Sequence, residues 1–129
     1  MVRVLIVDDS ELVRLGLQSL VEMQGDLEWC GSADSGRTGV QMAIQTRPDV
    51  VLMDLSMPDI DGVEATRQIL DSCPRSRVVM LTGHSTPSWE KAAIAAGVKR
   101  YLLKGTPPDA VLDAIRAAGG ACRNLLALD

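Results

Sequence analysis

Pro48-Asp49-Val50-Val51-Leu52-Met53-Asp54-Leu55-Ser56-Met57-Pro58-Asp59-Ile60-Asp61-Gly62 is the stretch on which the reading of this chain turns. Four apolar residues, Val50 to Met53, are too few for a helix. Their β-branched start behind Pro48 suits a strand buried on both faces. The run stops on a carboxylate, Asp54, and Pro58 and Gly62 then turn the backbone before the next helical pattern. An aspartate at the carboxyl end of a buried parallel strand stands where open α/β sheets place their chemistry. Taken alone, Asp54 reads as a strand end or a turn cap, so its meaning depends on what the rest of the chain brings to it.

Upstream, Val2 to Val7 forms a buried-strand pattern closed by Asp8-Asp9-Ser10. Glu11 to Met23 is helical, with Leu12, Leu15, Leu17, Leu20 and Val21 at spacings that include three and four. Leu27 to Ala33 is a weaker strand, polar and glycine-bearing, which suits an edge. Ser35-Gly36 opens a second helix with Val40, Ala43 and Ile44 on one face. It stops at Arg47-Pro48, because the residue before proline disfavours the right-handed helical region. Downstream, a helix runs from about Asp61 to Ser72 and breaks at Cys73-Pro74. Arg77 to Thr82 is a fourth strand.

Thr86-Pro87 reads as an N-cap followed by proline at the first helical position, and Gly97 ends that helix. Arg100 to Leu103 is a fifth strand ending on Lys104. Thr106-Pro107-Pro108-Asp109 repeats the cap-and-proline device and starts a last helix aligned on Val111, Ala114, Ile115 and Ala118. The alternation βα, five times over, predicts a doubly wound parallel sheet with helices on both faces and right-handed crossovers. Residues 1–118 form the domain. Residues 119–129, with Leu125, Leu126 and Leu128 after Gly119-Gly120, either extend the last helix as a tail or begin a linker to an output domain.

The totals bound the function. A chain of 129 residues, 47% hydrophobic, makes one domain with a packed core. With only Trp29, Trp89 and Tyr101 as aromatics, that core is built from aliphatic residues. The formal charge of −4 argues against direct nucleic-acid binding by this domain, which needs a basic patch to neutralise phosphates. Cys30, Cys73 and Cys122 lack metal-ligand spacing and read as free thiols in a reducing cytosol. The run Val4 to Val7 is far too short for a signal peptide, and nothing approaches a membrane span. The expected location is therefore cytoplasmic, with no membrane contact.

In this reading four of the five strands end on groups capable of chemistry: Asp8-Asp9, Asp54, Thr82 and Lys104. Parallel strands set all their carboxyl ends along one edge, so these groups can converge. Two carboxylates about 4 Å apart repel by roughly 4 kcal/mol at an effective dielectric near 20. Three together need a raised pKa or more positive charge than Lys104 supplies. A hard divalent ion on oxygen ligands answers that need, and Mg²⁺ characteristically takes one or two carboxylates with waters and a phosphate. Aspartate is also a competent nucleophile for phosphoryl transfer, with metal and lysine stabilising charge on the transferring group.

As a set, Asp8-Asp9, Asp54 within Asp54-Leu-Ser-Met-Pro-Asp-Ile-Asp-Gly62, Thr82 and Tyr101-Leu-Leu-Lys104 closely resemble the receiver domain of bacterial response regulators, over residues 2 to about 118. The resemblance implies a flavodoxin-like (βα)5 three-layer sandwich, CheY-like, with sheet order 2-1-3-4-5. It also implies that Asp54 is phosphorylated by a sensor histidine kinase in a two-component system. Asp9 would bind Mg²⁺ (or Mn²⁺) directly and Asp8 through water, with Asp54 and the carbonyl of Ser56 as further ligands. Thr82 and Lys104 would hold phosphoryl oxygens. Tyr101 would swing inward as Thr82 moves, reshaping the face formed by the fourth helix, fifth strand and fifth helix. Such a receiver promotes its own phosphorylation and dephosphorylation and is not a turnover enzyme.

The segments Leu81 to Ser85 and Gly97 to Lys104 look most like receivers of NarL/LuxR-type transcription regulators. Those reach DNA only through a C-terminal helix-turn-helix domain that lies outside this chain. The rival is a stand-alone receiver that docks onto a partner protein, and a homodimer through the last helix or the leucine tail stays open. Gly105 follows Lys104 where many receivers have proline, so a cis peptide is not expected there. His84 reads as a loop residue or as a group tuning phosphate lifetime, and Trp89 as core or as a partner-facing anchor.

Two other classes fit less well. An aspartyl-phosphate hydrolase of the haloacid dehalogenase type needs a second aspartate two residues after the nucleophile, where this chain has Ser56, and a cap insertion that is missing. A nucleotide-binding protein would need a glycine-rich phosphate loop, whereas Asp8-Asp9-Ser10 after the first strand would repel a pyrophosphate.

Overall fold

The computed structural model describes residues 1–83 and 86–127, with side chains described up to residue 120. At its centre lies β3 (Val50–Met53), whose four side chains are all buried. It pairs in parallel with β1 (Val2–Val7) on one side and β4 (Arg77–Thr82) on the other. The edges are β2 (Leu27–Ala33) and β5 (Arg100–Leu103), giving the order β2-β1-β3-β4-β5. The weak second strand is thus an edge, as its polar composition suggests. Five helices complete the alternation: α1 (Glu11–Glu22), α2 (Gly36–Thr46), α3 (Gly62–Ser72), α4 (Pro87–Ala95) and α5 (Pro108–Ala127).

Side chains along a strand point alternately to opposite faces, so each central strand supplies two cores. Leu5, Val7, Val51, Met53, Val78 and Met80 pack with Val40, Ala43, Val63, Ile69 and Ala93 of α2, α3 and α4. Val4, Ile6, Val50, Leu52, Val79 and Leu81 pack with Val21 of α1 and Val111, Leu112, Ile115 and Ala118 of α5. The result is three layers, two helices on one face of the sheet and three on the other. No helix among the described residues is long and apolar enough to cross a membrane.

The ends of the elements follow the local signals. Ser10, Ser35 and Asp61 cap α1, α2 and α3, each side chain accepting a backbone N–H in the first turn. Thr86 takes the cap position of α4 beside Pro87, but its hydroxyl makes no capping bond. Arg47, held out of the right-handed region by Pro48, closes α2 in the left-handed region at φ 49°. Its N–H still donates to the Ala43 carbonyl.

Two expectations need correction. Leu12 and Leu15 do not join the core: they are 82% and 54% exposed, and Leu17, Leu20 and Val21 turn inward instead. The leucines of α1 are spread too widely around the helix for all to share one buried stripe. In α2, Ile44 is exposed and Met42 packs in its place. The last helix continues through Gly119 and Gly120 to Ala127. The side chains of Cys122, Leu125, Leu126 and Leu128 lie outside the described residues, as does His84.

Gly39 and Gly16 occupy opposite situations on these helices. A Cβ at Gly39 would lie 2.7 Å from Cγ1 and 2.9 Å from Cγ2 of the buried Val7, whereas one at Gly16 meets nothing within 4 Å. Alanine gains about 1 kcal/mol over glycine inside a helix, but overpacking a core costs about 1–3 kcal/mol. Gly16→Ala is therefore expected to raise stability by about 0.5–1 kcal/mol. Gly39→Ala should lower it by about 1–2 kcal/mol, the overpacking cost outweighing the helix gain. Urea denaturation followed by circular dichroism checks the pair, and equal signs for the two variants would contradict this packing.

Candidate functional site at the carboxyl edge of the sheet

Pairing register brings the chemistry-bearing strand ends together. Val7 is opposite Met53, so Asp8 and Asp54 leave β1 and β3 side by side. The Asp54 N–H donates to the Val7 carbonyl at 2.9 Å, and the Asp8 N–H to the Ala33 carbonyl at 3.0 Å. On the other side, Thr82 is opposite Leu103, and the Lys104 N–H donates to the Thr82 carbonyl at 2.7 Å.

Carboxylate oxygens of Asp8, Asp9 and Asp54 all lie within 4.8 Å of one another. Asp8 and Asp54 are 2% and 5% exposed, while Asp9 faces solvent. From the end of β5, Lys104 reaches past the end of β4 so that its Nζ stands 3.0 Å from Asp8 Oδ2 and 3.5 Å from Asp54 Oδ1. Asp8 Oδ1 also accepts the Ser10 N–H at 2.9 Å, and Arg14 of α1 donates to the Asp8 carbonyl at 2.8 Å. Thr82 is fully buried at the end of β4. Ser56 is exposed in the loop after Asp54. Tyr101 is partly buried against the core on the α2–α3–α4 face, and Trp89, at the start of α4, is 39% exposed and outside the core.

The loop from Asp54 to Asp61 is drawn tight by its glycine. A Cβ on Gly62 would fall 2.2 Å from the Asp54 carbonyl oxygen, and the Gly62 N–H donates to the Leu55 carbonyl at 2.7 Å. Only glycine permits that approach. The backbone turns without a cis peptide, and Gly105 after Lys104 adopts φ 101°, in the left-handed region that favours glycine.

Charge dominates the chemistry here. At the observed spacing each carboxylate pair repels by roughly 3–4 kcal/mol at a dielectric near 20. Burial first, and then the charge of Asp8, push the Asp54 pKa above its ordinary value of 3.8, against the pull of Lys104. Burial alone would lower the Lys104 pKa, but its hydrogen bond to Asp8 and the charge of Asp54 outweigh it and hold the ammonium protonated. Three carboxylates and one ammonium leave a net negative cluster of hard oxygen donors. That donor set fits Mg²⁺ or Mn²⁺ and is the wrong chemistry for a soft metal.

Asp8, Asp9 and Asp54, read from sequence, thus cluster at one edge with Lys104 paired to Asp8 and Asp54, and Thr82 stands on the adjoining strand end. Two contributors were not read from sequence. Arg14 supports Asp8 from α1, and Asp59 accepts the backbone N–H groups of Gly36 and Arg37 at the start of α2.

Comparison with known proteins agrees with this fold. Residues 4–116 match the family model described as the response regulator receiver domain. The chain is 43% identical over 118 residues to the transcriptional regulatory protein LiaR of Bacillus subtilis, covering 92% of this chain and 56% of LiaR. It is 43% identical over 115 residues to the response regulator protein VraR of Staphylococcus aureus, covering 89% of this chain and 55% of VraR. The chain therefore spans little more than half the length of these relatives. Among solved structures, a LuxR-family two-component response regulator from Aurantimonas superposes with a TM-score of 0.87 at 30% identity, covering 92% of this chain and 85% of that one. The response regulator domain of Thermotoga maritima CheB gives 0.87 at 29% identity, covering 93% and 97%.

The raised Asp54 pKa fixes the sign of a stability effect. Its ionisation costs the fold stability in full above the folded pKa. The cost fades as pH falls toward 3.8 and is absent below it. Asp54→Asn removes that cost. In buffer with chelator, the variant should unfold at higher urea than the parent at neutral pH, with the gap closing on acidification through the aspartate range. A gap that widens on acidification would contradict the electrostatics described here.

Proposed function

The chain belongs to the response regulator receiver family, and from that premise we propose that it is a phosphoacceptor switch in which Asp54 takes a phosphoryl group from the phosphohistidine of a sensor histidine kinase. The observation that supports this most is the convergence of Asp8, Asp9, Asp54 and Lys104 from three separate strand ends. In the transfer an Asp54 oxygen attacks phosphorus, and the P–N bond breaks with its electron pair returning to the imidazole. Asp54 is held nearly buried at the strand end.

Asp8, Asp9, Asp54 and the Ser56 carbonyl would hold a Mg²⁺ (or Mn²⁺) ion, which when bound supplies the positive charge that the acidic cluster and a phosphoryl group require. Lys104 stays protonated beside Asp54 and would pair with one phosphoryl oxygen. The Thr82 hydroxyl would bond another, and Tyr101 would turn inward as Thr82 moves. This remodels the face formed by α4, β5 and α5, an anion shifting the populations of two arrangements. We read the domain as residues 1–118 and the residues from 119 onward as its joint to an output. We infer a DNA-binding helix-turn-helix output and action in the bacterial cytoplasm, and the relatives named as transcriptional regulators support an output in transcription. We also infer that the domain catalyses only its own phosphorylation and dephosphorylation.

Acetyl phosphate with Mg²⁺ should add one base-labile, hydroxylamine-sensitive phosphoryl group, detected by intact mass. Asp54→Asn or addition of EDTA should abolish it. A mass shift that persists in Asp54→Asn would refute the assignment. Mg²⁺ should also raise the thermal midpoint of the parent in proportion to ln(1 + [Mg²⁺]/Kd).

A further inference from the structure

Asp59 lies in the loop that carries the Ser56 carbonyl, yet its carboxylate is engaged on a different element. Its Oδ1 accepts the Gly36 N–H and its Oδ2 the Arg37 N–H, both at 2.9 Å. The Arg37 guanidinium stands 3.9 Å away and remains mostly in solvent, so it adds little. Gly36 and Arg37 open α2, where the first N–H groups have no partner within the helix. The helix's own cap, Ser35, serves Thr38, leaving these two to Asp59. An anion at this position also meets the positive end of the helix dipole.

The adjoining residue locks the same contact. A Cβ on Gly36 would fall 2.5 Å from Ile60 Cγ1 and 2.8 Å from the Ile60 carbonyl oxygen. The loop and α2 therefore touch through a two-pronged carboxylate and a glycine that admits Ile60. The N–H groups, that of Arg37 foremost, draw the Asp59 pKa down to about 2, so the prongs stay charged at any pH where the protein is used. Behind Asp59, the Asp61 side chain accepts the Glu64 N–H at 2.9 Å and starts α3. Ser56 lies between the pinned Asp54 and this clamp.

We propose that Asp59 is a positioning residue that fastens the β3–α3 loop to α2 and so fixes the Ser56 carbonyl beside Asp54, setting the affinity of the acidic cluster for its divalent cation. The inference rests on the reading of that cluster as a metal-dependent phosphoacceptor. Groups that orient metal ligands change metal affinity by about 10–100-fold when removed. A solvent-facing loop anchor belongs at the low end of that range.

The test compares the parent with Asp59→Ala, Asp59→Asn and Arg37→Ala by Mg²⁺ calorimetry, by amide hydrogen exchange and by the rate of acetyl phosphate labelling. Asp59→Ala should deprotect the Gly36 and Arg37 amides and weaken Mg²⁺ binding by about tenfold. Saturating Mg²⁺ should return its labelling rate to the parent value. Asp59→Asn, which keeps one acceptor, should fall between, and it serves alone if the alanine variant does not fold. Arg37→Ala should match the parent, because both backbone N–H groups persist. Lost amide protection with unchanged Mg²⁺ affinity, or a lower labelling rate that saturating Mg²⁺ does not restore, overturns the proposal. A parent protein that neither binds Mg²⁺ nor takes label removes the phosphoacceptor reading itself and this inference with it. Hydrogen exchange would still show separately whether the clamp exists.

Discussion

Repulsion among carboxylates that the sheet forces together is the constraint to which the rest of the molecule answers. Asp8 and Asp54 are nearly excluded from water, where a charge is most costly, and Asp9 completes an acidic trio at the rim. Lys104 offsets part of this and cannot offset all of it. The cluster is therefore held in a state that a bound cation would relieve. Chemical poise of this kind needs a rigid frame, since freely moving carboxylates would separate.

The frame is the parallel ladder. Backbone bonds from Asp54 to Val7 and from Lys104 to Thr82 set the positions of the acidic and basic groups before any side chain rotates. Because side chains alternate faces, a slip of one residue in β1 or β3 would exchange the two cores and move Asp8 away from Asp54. The aliphatic packing on both faces of β3 thus fixes the register, and the register fixes the site. Gly62 performs the same service for the loop, letting the chain reverse against the Asp54 carbonyl with no side chain between.

Much of this was legible in the sequence. The short apolar runs ending in Asp8, Asp54, Thr82 and Lys104 announced the strands and the edge at which these groups meet, and Pro48, Pro87 and Pro108 punctuated the helices. The α1 stripe was less legible. Leu12, Leu15, Leu17, Leu20 and Val21 satisfy helical spacings in more than one way, and only the packing of α1 on β1 and β2 decides that 17, 20 and 21 face inward. The clamp by Asp59 was not legible at all, because its partners are backbone N–H groups 22 and 23 residues away and no side-chain pattern marks them. The role of Asp61 could have been found, since an aspartate three residues before Glu64 is a recognisable helix start.

Gly119 gives α5 a consequence for how far a message must travel. A Cβ there would lie 2.5 Å from Val2 and 3.2 Å from Val50, the opening residues of two strands, whereas α5 begins just past Lys104. The helix thus runs the full height of the sheet, about 18 Å over a dozen residues, from the rim that holds Asp54 to the opposite floor. Gly119 thus lies at the far side of the sheet from Asp54. A displacement of α5 at the rim is felt at the opposite floor as tilt or sliding of one seated rod.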